Sequence, residues 1–303
     1  MAFNWQTFKT RTGTAVVFVL VMLVGLLWNQ WSFFVLFSII HFGCWREYQN
    51  LVKKIDPGYQ EITPFHQYGV MIAGWCMMLY ATSDDCHIGM LTLSSIGWWL
   101  GLTFVFVLPI VEILFSRQIN LKNIAHSAMG LAYISLTCAM MVHLRSGTAW
   151  MPDHNSTSVV KGLWSVMASL QGYVIPLVII ASLWINDTMA YIVGSLIGKT
   201  PLTAISPKKT WEGTIGGIIL SVVVVTLLGV YVVEGEAYYY ILISLIASVA
   251  GTFGDIFESK LKRLAGVKDS GHIMPGHGGF LDRFDSLLFA IPAVWIFCYF
   301  FVR

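Results

Sequence analysis

The stretch Ser259–Asp285, SKLKRLAGVKDSGHIMPGHGGFLDRFD, lies between two apolar segments that are each long enough to cross a membrane. It is dense in Lys, Arg and Asp, although charged residues make up only 11% of the chain. Charged groups beside a bilayer are costly to hold unless they find partners. We therefore expect the polar chemistry to lie in this stretch and the apolar segments around it to decide the fold.

The composition of the chain is that of an integral membrane protein. Its 303 residues are 56% hydrophobic, with a mean hydropathy of +0.71. A soluble domain has about 45–50% apolar and about 25% charged residues, so the apolar excess exceeds what one aqueous core can bury. The five cysteines show no CxxC spacing, which argues against a disulfide framework or a metal knuckle.

Nine apolar runs follow one another along the chain, and each approaches the length of a membrane span. Strands cannot satisfy their backbone singly in lipid, so we expect helices. The predicted fold is all-α, with about nine transmembrane helices. The runs are 12–29, 31–46, 67–82, 89–115, 122–144, 166–197, 212–233, 238–254 and 284–302.

The distribution of basic residues predicts the orientation of these spans. With nine spans and a cytoplasmic N-terminus, 15 of the 18 lysines and arginines fall in cytoplasmic segments. Only Arg145, Lys161 and Arg303 fall outside them. This distribution follows the positive-inside rule and predicts an external C-terminus.

The chain divides into two predicted parts. Residues 1–165 carry about five spans, and residues 166–303 carry the catalytic spans with cytoplasmic loops at 198–211 and 255–283. No internal repeat is visible, which argues against a transporter built from inverted halves.

Three aspartates lie at the ends of the two neighbouring spans that the loop 255–283 joins: Asp255, Asp282 and Asp285. Asp282 and Asp285 are three positions apart and share a face if the last helix begins near them. Carboxylates gathered with few partners favour a divalent cation, and oxygen ligands suit Mg²⁺. The alternative is a structural ion network with Arg283, Lys262 and Arg263.

Basic residues interleave with these acids and with a glycine-rich turn, Pro275–Gly279. Lys and Arg are donors for phosphate oxygens, and a glycine turn lets backbone approach an anion closely. Alternatively, the basic residues set the orientation of the spans in the membrane or attract anionic lipids. His277 fits a proton carrier, a phosphate donor or a turn residue. The basic set is Lys208, Lys209, Lys262, Arg263, Lys268 and Arg283.

Two further polar elements interrupt the apolar background. Asn186-Asp187 lies inside an apolar run, where an acid is a functional candidate unless it is bonded to a neighbour or a loop lysine. The loop Ser206–Gly213, SPKKTWEG, faces the same side as the loop 255–283. Together these acids and bases suit phosphoryl or nucleotidyl transfer with Mg²⁺. The isolated His41, His126 and His143 are expected to be core or interface histidines.

The signature in Ser259–Asp285, together with SPKKTWEG, Asn186-Asp187 and Gly254-Asp255, resembles the phosphatidate cytidylyltransferases, also called CDP-diacylglycerol synthases. The resemblance covers roughly residues 180–290, and Met274 stands where the family usually has Leu, Ile or Phe. It implies that CTP and phosphatidate react to CDP-diacylglycerol and pyrophosphate with Mg²⁺, beside a second cation. Membrane lipids and a second copy of the chain in a homodimer are the implied partners, and no nucleic acid is expected.

Carried over by position, the resemblance implies that Asp255, Asp282 and Asp285 hold the metal and that Lys262 shares the catalytic centre. The implied substrate-binding residues are Asn186, Asp187, Ser206, Lys208, Lys209, Arg263, Lys268, Asp269, His277, Gly278, Gly279 and Arg283. The expected location is a bacterial plasma membrane with the site facing the cytoplasm. The alternatives are a prenyl-diphosphate transferase, a CTP-dependent lipid kinase or a transporter.

Overall fold

The computed structural model describes residues 5–115, 120–146, 172–233, 236–271 and 278–302, and these residues are mainly helical. They form two compact units, of residues 1–142 with 261–284, and of residues 143–260 with 285–303. The boundary predicted at residue 165 lies outside the described residues and stays a prediction, as do the role of His277 and the places of Lys161 and Arg303 in the charge distribution.

The first unit is built from helices in the N-terminal half of the chain. A short 3₁₀ segment, Pro57–Glu61, joins α2 to α3, and a two-residue hairpin pairs β1 (His87–Ile88) with β2 (Leu91–Thr92) before α4. The helices are α1 (Trp5–Leu27), α2 (Gln30–Ile55), α3 (Pro64–Tyr80), α4 (Leu93–Phe115) and α5 (Leu121–Gly130), which continues through the π-helical turn Leu131–Leu136 into α6 (Thr137–Ser146).

Local signals set the helix starts of this unit. Asn29 caps α2 in a reciprocal capping box with Ser32, and Thr63 caps α3 with Pro64 in its first turn. In the core, the buried His41 Nε2 lies 3.0 Å from Ser135 Oγ, which also accepts a hydrogen bond from the Trp45 indole. His41 is thus a core histidine, as predicted.

Among the residues that the structure describes, the second unit contains four helices and the last residues of α6, and α9 contributes its last turn to the first unit. The four helices are α7 (Val174–Ile197), α8 (Trp211–Val232), α9 (Ala237–Leu264) and α10 (Leu281–Phe297), which ends in a π-helical turn, Cys298–Val302. Asp282 and the first residues of α10 belong to the first unit.

Small residues let α7 and α8 pack closely. A Cβ at Gly217 would lie 2.8 Å from the carbonyl oxygen of Asn186, so a side chain there would push the helices apart. One turn later the Ser221 hydroxyl donates to the Ser182 carbonyl oxygen over 2.8 Å. This packing fixes Asn186 and Asp187 against the start of α8.

Six helical segments of the described chain are long and apolar enough to cross a membrane. They are Leu93–Phe115, Leu121–Ser146, Val174–Ile197, Trp211–Val232, Ala237–Leu264 and Leu281–Phe301. Large apolar side chains stay exposed along them, such as Phe106 and Ile113 of α4, as expected of surfaces that face lipid. The chain is therefore a helical integral membrane protein.

The predicted count of nine spans and the orientation of the N-terminus are not confirmed. A helix coincides with each of the nine apolar runs in the part of the chain that the structure describes. However, the apolar part of α1 is the short Gly13–Leu27, α3 has 17 residues, and α2 ends in charged residues.

Candidate active site

A cleft of about 470 Å³ in the second unit brings together three of the predicted polar elements. Asn186 and Asp187 come from α7, the loop 198–210 adds its lysines, and Asp255 comes from α9. These elements are far apart in the sequence, so their convergence is a result of the fold. The full lining is Asn186, Asp187, Ala190, Tyr191, Gly194, Ser195, Ser206, Lys208, Lys209, Thr210, Thr214, Thr252 and Asp255.

The loop 198–210 has a defined shape, because the carboxylate of Glu212 binds its beginning. Glu212 accepts hydrogen bonds from the backbone amides of Lys199 and Thr200 and, over 2.9 Å, from the Thr200 hydroxyl. The Leu202 amide then donates to the Lys209 carbonyl oxygen over 2.7 Å. These bonds fold the loop back on itself and carry Lys209 to the start of α8.

Lys209 pairs with Asp255, and this ion pair joins the loop to α9. Lys209 also attracts the Asp187 carboxylate, and the Ser259 hydroxyl donates to Asp255 over 3.3 Å. Both partners of the ion pair stay partly exposed, with 33% and 25% of their side-chain surface accessible. The cleft therefore presents a cation and two carboxylates to a ligand, with Ser206 and the exposed Lys208 beside them.

Asn186 is 4% exposed, and its Oδ1 has no hydrogen-bond partner among the residues that the structure describes. An unsatisfied buried acceptor is unusual and calls for an explanation such as a ligand or an ion. Asp187, the next residue, is exposed and lines the same cleft. The sequence left open whether a loop lysine bonds to Asp187, and Lys209 lines the same cleft and attracts the Asp187 carboxylate.

Gly254 explains how Asp285 comes near this region within the second unit. A Cβ at Gly254 would lie 2.5 Å from the Asp285 carbonyl oxygen, so only glycine lets α9 and α10 approach so closely. The Asp285 side chain is 9% exposed and accepts a hydrogen bond from the Ser286 amide.

Asp282 and Lys262 form the centre of a second cluster, which lies in the first unit. Lys262 Nζ donates to Asp282 Oδ1 over 2.6 Å. Asp282 Oδ2 accepts from the Ser270 amide and hydroxyl and from the Gly279 amide, all within 2.9 Å. Asp282 thus organises both described ends of the signature loop, which we define as residues 265–271 and 278–280.

The sequence analysis missed Glu47, a carboxylate of α2 that is 6% exposed. Its oxygens accept hydrogen bonds from the Ser270 hydroxyl at 2.7 Å, the Phe280 amide at 2.9 Å and the Leu281 amide at 2.8 Å. The only signal in the sequence was an acid beside Arg46 at the end of an apolar run, which is equally typical of a solvated helix end.

The other predicted binding residues lie at the end of α9, in the signature loop and at the start of α10. Arg263 donates to the Val267 carbonyl oxygen at the end of α9, where Gly266 adopts a left-handed conformation that ends the helix. The side chains of Lys268, Asp269 and Arg283 are exposed. Gly278 is also left-handed, with φ +76°, and His277 lies outside the described residues.

Within the described residues, no three His, Cys, Asp or Glu side chains converge as a preformed metal site. Mg²⁺ does not require one, since it usually keeps waters and binds through one or two carboxylates and substrate phosphates. The oxygens of Asp255, Asp187 and Asn186 fit such a hard cation. The assignment of Asp255, Asp282 and Asp285 as joint ligands stays a prediction.

Comparison with known proteins agrees with the signature. The profile of the cytidylyltransferase family matches residues 9–301. A phosphatidate cytidylyltransferase of Staphylococcus saprophyticus is 30% identical over 94% of this chain and 96% of its own length. The protein of the same name from Synechocystis is 30% identical over 94% of this chain and 92% of its own length. The one from Helicobacter pylori is 31% identical over 67% of this chain and 83% of its own length. The chain belongs to the cytidylyltransferase family.

Proposed function

We propose that this protein is a phosphatidate cytidylyltransferase, which makes CDP-diacylglycerol and pyrophosphate from CTP and phosphatidate. The family match over nearly the whole chain and the names of the relatives support this activity. The observation that carries it in the structure is the cleft of the second unit, where Lys208 and Lys209 meet Asp187 and Asp255. Cations beside carboxylates suit the binding of a nucleoside triphosphate with a metal ion.

The chemistry is an in-line displacement at the α-phosphorus of CTP. An oxygen of the phosphatidate phosphate forms a new P–O bond, the bond between the α- and β-phosphates breaks, and pyrophosphate leaves with the electron pair. The attacking phosphate is already an anion, so the site needs no strong general base. Its work is positioning and charge stabilisation, for which Lys208 and Lys209 donate to phosphate oxygens.

Mg²⁺ is the cofactor that we propose, and Asp255 would hold it, with Asp187 and Asn186 supplying neighbouring oxygens. When bound, the ion neutralises charge on the phosphates. We keep Asp282 and Asp285 as further predicted ligands and a second cation as a family-level expectation. Lys262 donates a hydrogen bond to Asp282 Oδ1. We therefore expect a metal ion that binds this oxygen to share it with Lys262.

The location of the site follows from its two substrates. CTP dissolves in the cytosol, whereas phosphatidate stays in the leaflet, so the site has to lie at a membrane surface with a lateral opening for acyl chains. We propose that this surface is cytoplasmic, in a bacterial plasma membrane, and that the protein works as a homodimer. The positive-inside distribution supports the orientation.

Purified protein with phosphatidate and CTP labelled at either the α- or the γ-phosphate tests the activity. We expect the α-label to enter a lipid product and the γ-label to leave as pyrophosphate. Transfer of the γ-label to lipid would identify a CTP-dependent lipid kinase instead. A failure of both labels to reach lipid, under conditions in which a known synthase works, would contradict the proposal.

A further inference from the structure

Helix α10 begins without a side-chain cap of its own. Its first helical hydrogen bonds run from the Arg283 and Phe284 amides to the Phe280 carbonyl oxygen, so Phe280 occupies the N-cap position. A phenylalanine has no acceptor for the free amides of the first turn, which Ser, Thr, Asp or Asn usually satisfy. The cap comes instead from another helix, because Glu47 of α2 accepts from the Phe280 and Leu281 amides.

The Glu47 carboxylate is tightly packed against the backbone of two glycines, Gly271 and Gly279. A Cβ at Gly271 or at Gly279 would lie 2.2 Å from a Glu47 oxygen, so both positions need glycine. One turn earlier on α2, Gly43 makes the same kind of room for the Phe280 ring. One face of α2 therefore receives both described ends of the signature loop.

Ser270 connects Glu47 to the residues with predicted chemistry. Its hydroxyl lies 2.7 Å from Glu47 Oε2 and 2.8 Å from Asp282 Oδ2, and its amide also donates to Asp282. Asp282 in turn holds Lys262. The Ser270 hydroxyl therefore links the Glu47 carboxylate directly to Asp282, so a displacement of Glu47 would also displace the ion pair of Asp282 with Lys262.

We propose that Glu47 is a positioning residue for cytidylyl transfer, which fixes both ends of the signature loop and thereby holds Asp282 and Lys262 in their working geometry. This role rests on the proposed function for its effect on turnover. Its effect on the loop itself does not depend on which reaction the protein catalyses.

The variant Glu47→Gln tests this role, because it keeps the length of the side chain and replaces one acceptor oxygen by a donor. We expect kcat to fall by roughly 10- to 100-fold, as when a reacting group is misplaced by about 1 Å. The KM for CTP is expected to stay near the wild-type value, and the melting temperature is measured so that a loss of folded protein can be separated from a loss of turnover. Glu61→Gln, the same change at an exposed carboxylate of the first unit, serves as control and should leave kcat unchanged.

Hydrogen exchange supplies a readout that needs no activity. In Glu47→Gln, the amides of Phe280 and Leu281 should exchange faster than in the wild type, whereas Glu61→Gln should match the wild type. If the wild type lacked cytidylyltransferase activity, the proposed function would fall, and this exchange measurement would still decide the role of Glu47.

A double variant tests the route through Ser270. Because the two side chains act on one loop, Glu47→Gln with Ser270→Ala should lose less activity than the product of the two single losses. Wild-type turnover in Glu47→Gln, unchanged exchange at residues 280 and 281, or a loss of kcat that only follows the fraction of unfolded protein would overturn the proposal.

Discussion

Lys209 and Asp255 form an ion pair that links the loop before α8 to helix α9. The pair lies in a cleft that Asp187 also lines, so Lys209 faces two carboxylates. Removal of the lysine takes a positive charge away from these two acids and takes away a donor for phosphate oxygens.

We therefore expect Lys209→Met to raise the KM for CTP by about tenfold or more, because a charge-assisted hydrogen bond contributes roughly 1.5–3 kcal/mol. Lys199→Met is the matched control, since this exposed lysine belongs to the same loop. Steady-state kinetics at varied CTP measure both variants. An unchanged KM in Lys209→Met would remove Lys209 from the CTP site.

Asp282→Asn should abolish most turnover while the protein stays folded. The amide would present a donor to one of the groups that now donate to Asp282, and Lys262 would lose its carboxylate partner. We expect kcat to fall by roughly 100-fold, the cost of a misplaced reacting group. The exposed Asp85→Asn is the control, and size-exclusion profiles in detergent report folding. Full activity of Asp282→Asn would exclude this residue from the centre.

Glu212→Gln should loosen the loop 198–210. The Glu212 carboxylate accepts from the Thr200 amide and hydroxyl and from the Lys199 amide, and a side-chain amide has one acceptor oxygen fewer. Faster hydrogen exchange at Lys199 and Thr200 and a raised KM for CTP are the expected results. If exchange there equals that of the wild type, Glu212 does not hold the loop.

The sequence was sufficient to predict the positions of the helices and several of the residues that line the cleft. Apolar runs of this length favour helices in a membrane, and each run coincides with a helix in the described residues. The sequence predicted that the elements carrying Asp187, Lys209 and Asp255 lie on one side, and these three residues line one cleft in the structure.

The contacts of Glu47 were beyond such reasoning. Glu47 binds groups more than 220 positions away in the chain, at Ser270, Phe280 and Leu281. A single acid at the end of a span has the same local pattern whether water or a buried loop surrounds it. The structure shows that Phe280 stands at the N-cap position of α10, and the helix that supplies the cap depends on tertiary packing.

Gly217→Ala should lower the thermal stability of the protein. The new Cβ would lie 2.8 Å from both the Asn186 carbonyl oxygen and the Ala190 Cβ, so α7 and α8 would have to separate. Overpacking of this kind costs about 1–3 kcal/mol. Gly101→Ala is the control, because its Cβ would meet its nearest neighbour, the Cys76 Cβ, at an ordinary 3.6 Å. Equal melting temperatures for the two variants in detergent would contradict the close packing of α7 on α8.

Removal of divalent cations should abolish the transfer reaction, because CTP brings several negative charges beside Asp187 and Asp255. Treatment with a chelator is expected to stop product formation, and Mg²⁺ should restore it. Ca²⁺ should restore little, since it prefers about 6–8 oxygen ligands at longer distances than the octahedral Mg²⁺. In Asp255→Asn the Mg²⁺ concentration for half-maximal activity should rise, whereas in Asp85→Asn it should not change. Activity that persists in excess chelator would refute the role of the ion, and an unchanged Mg²⁺ requirement in Asp255→Asn would refute Asp255 as its ligand.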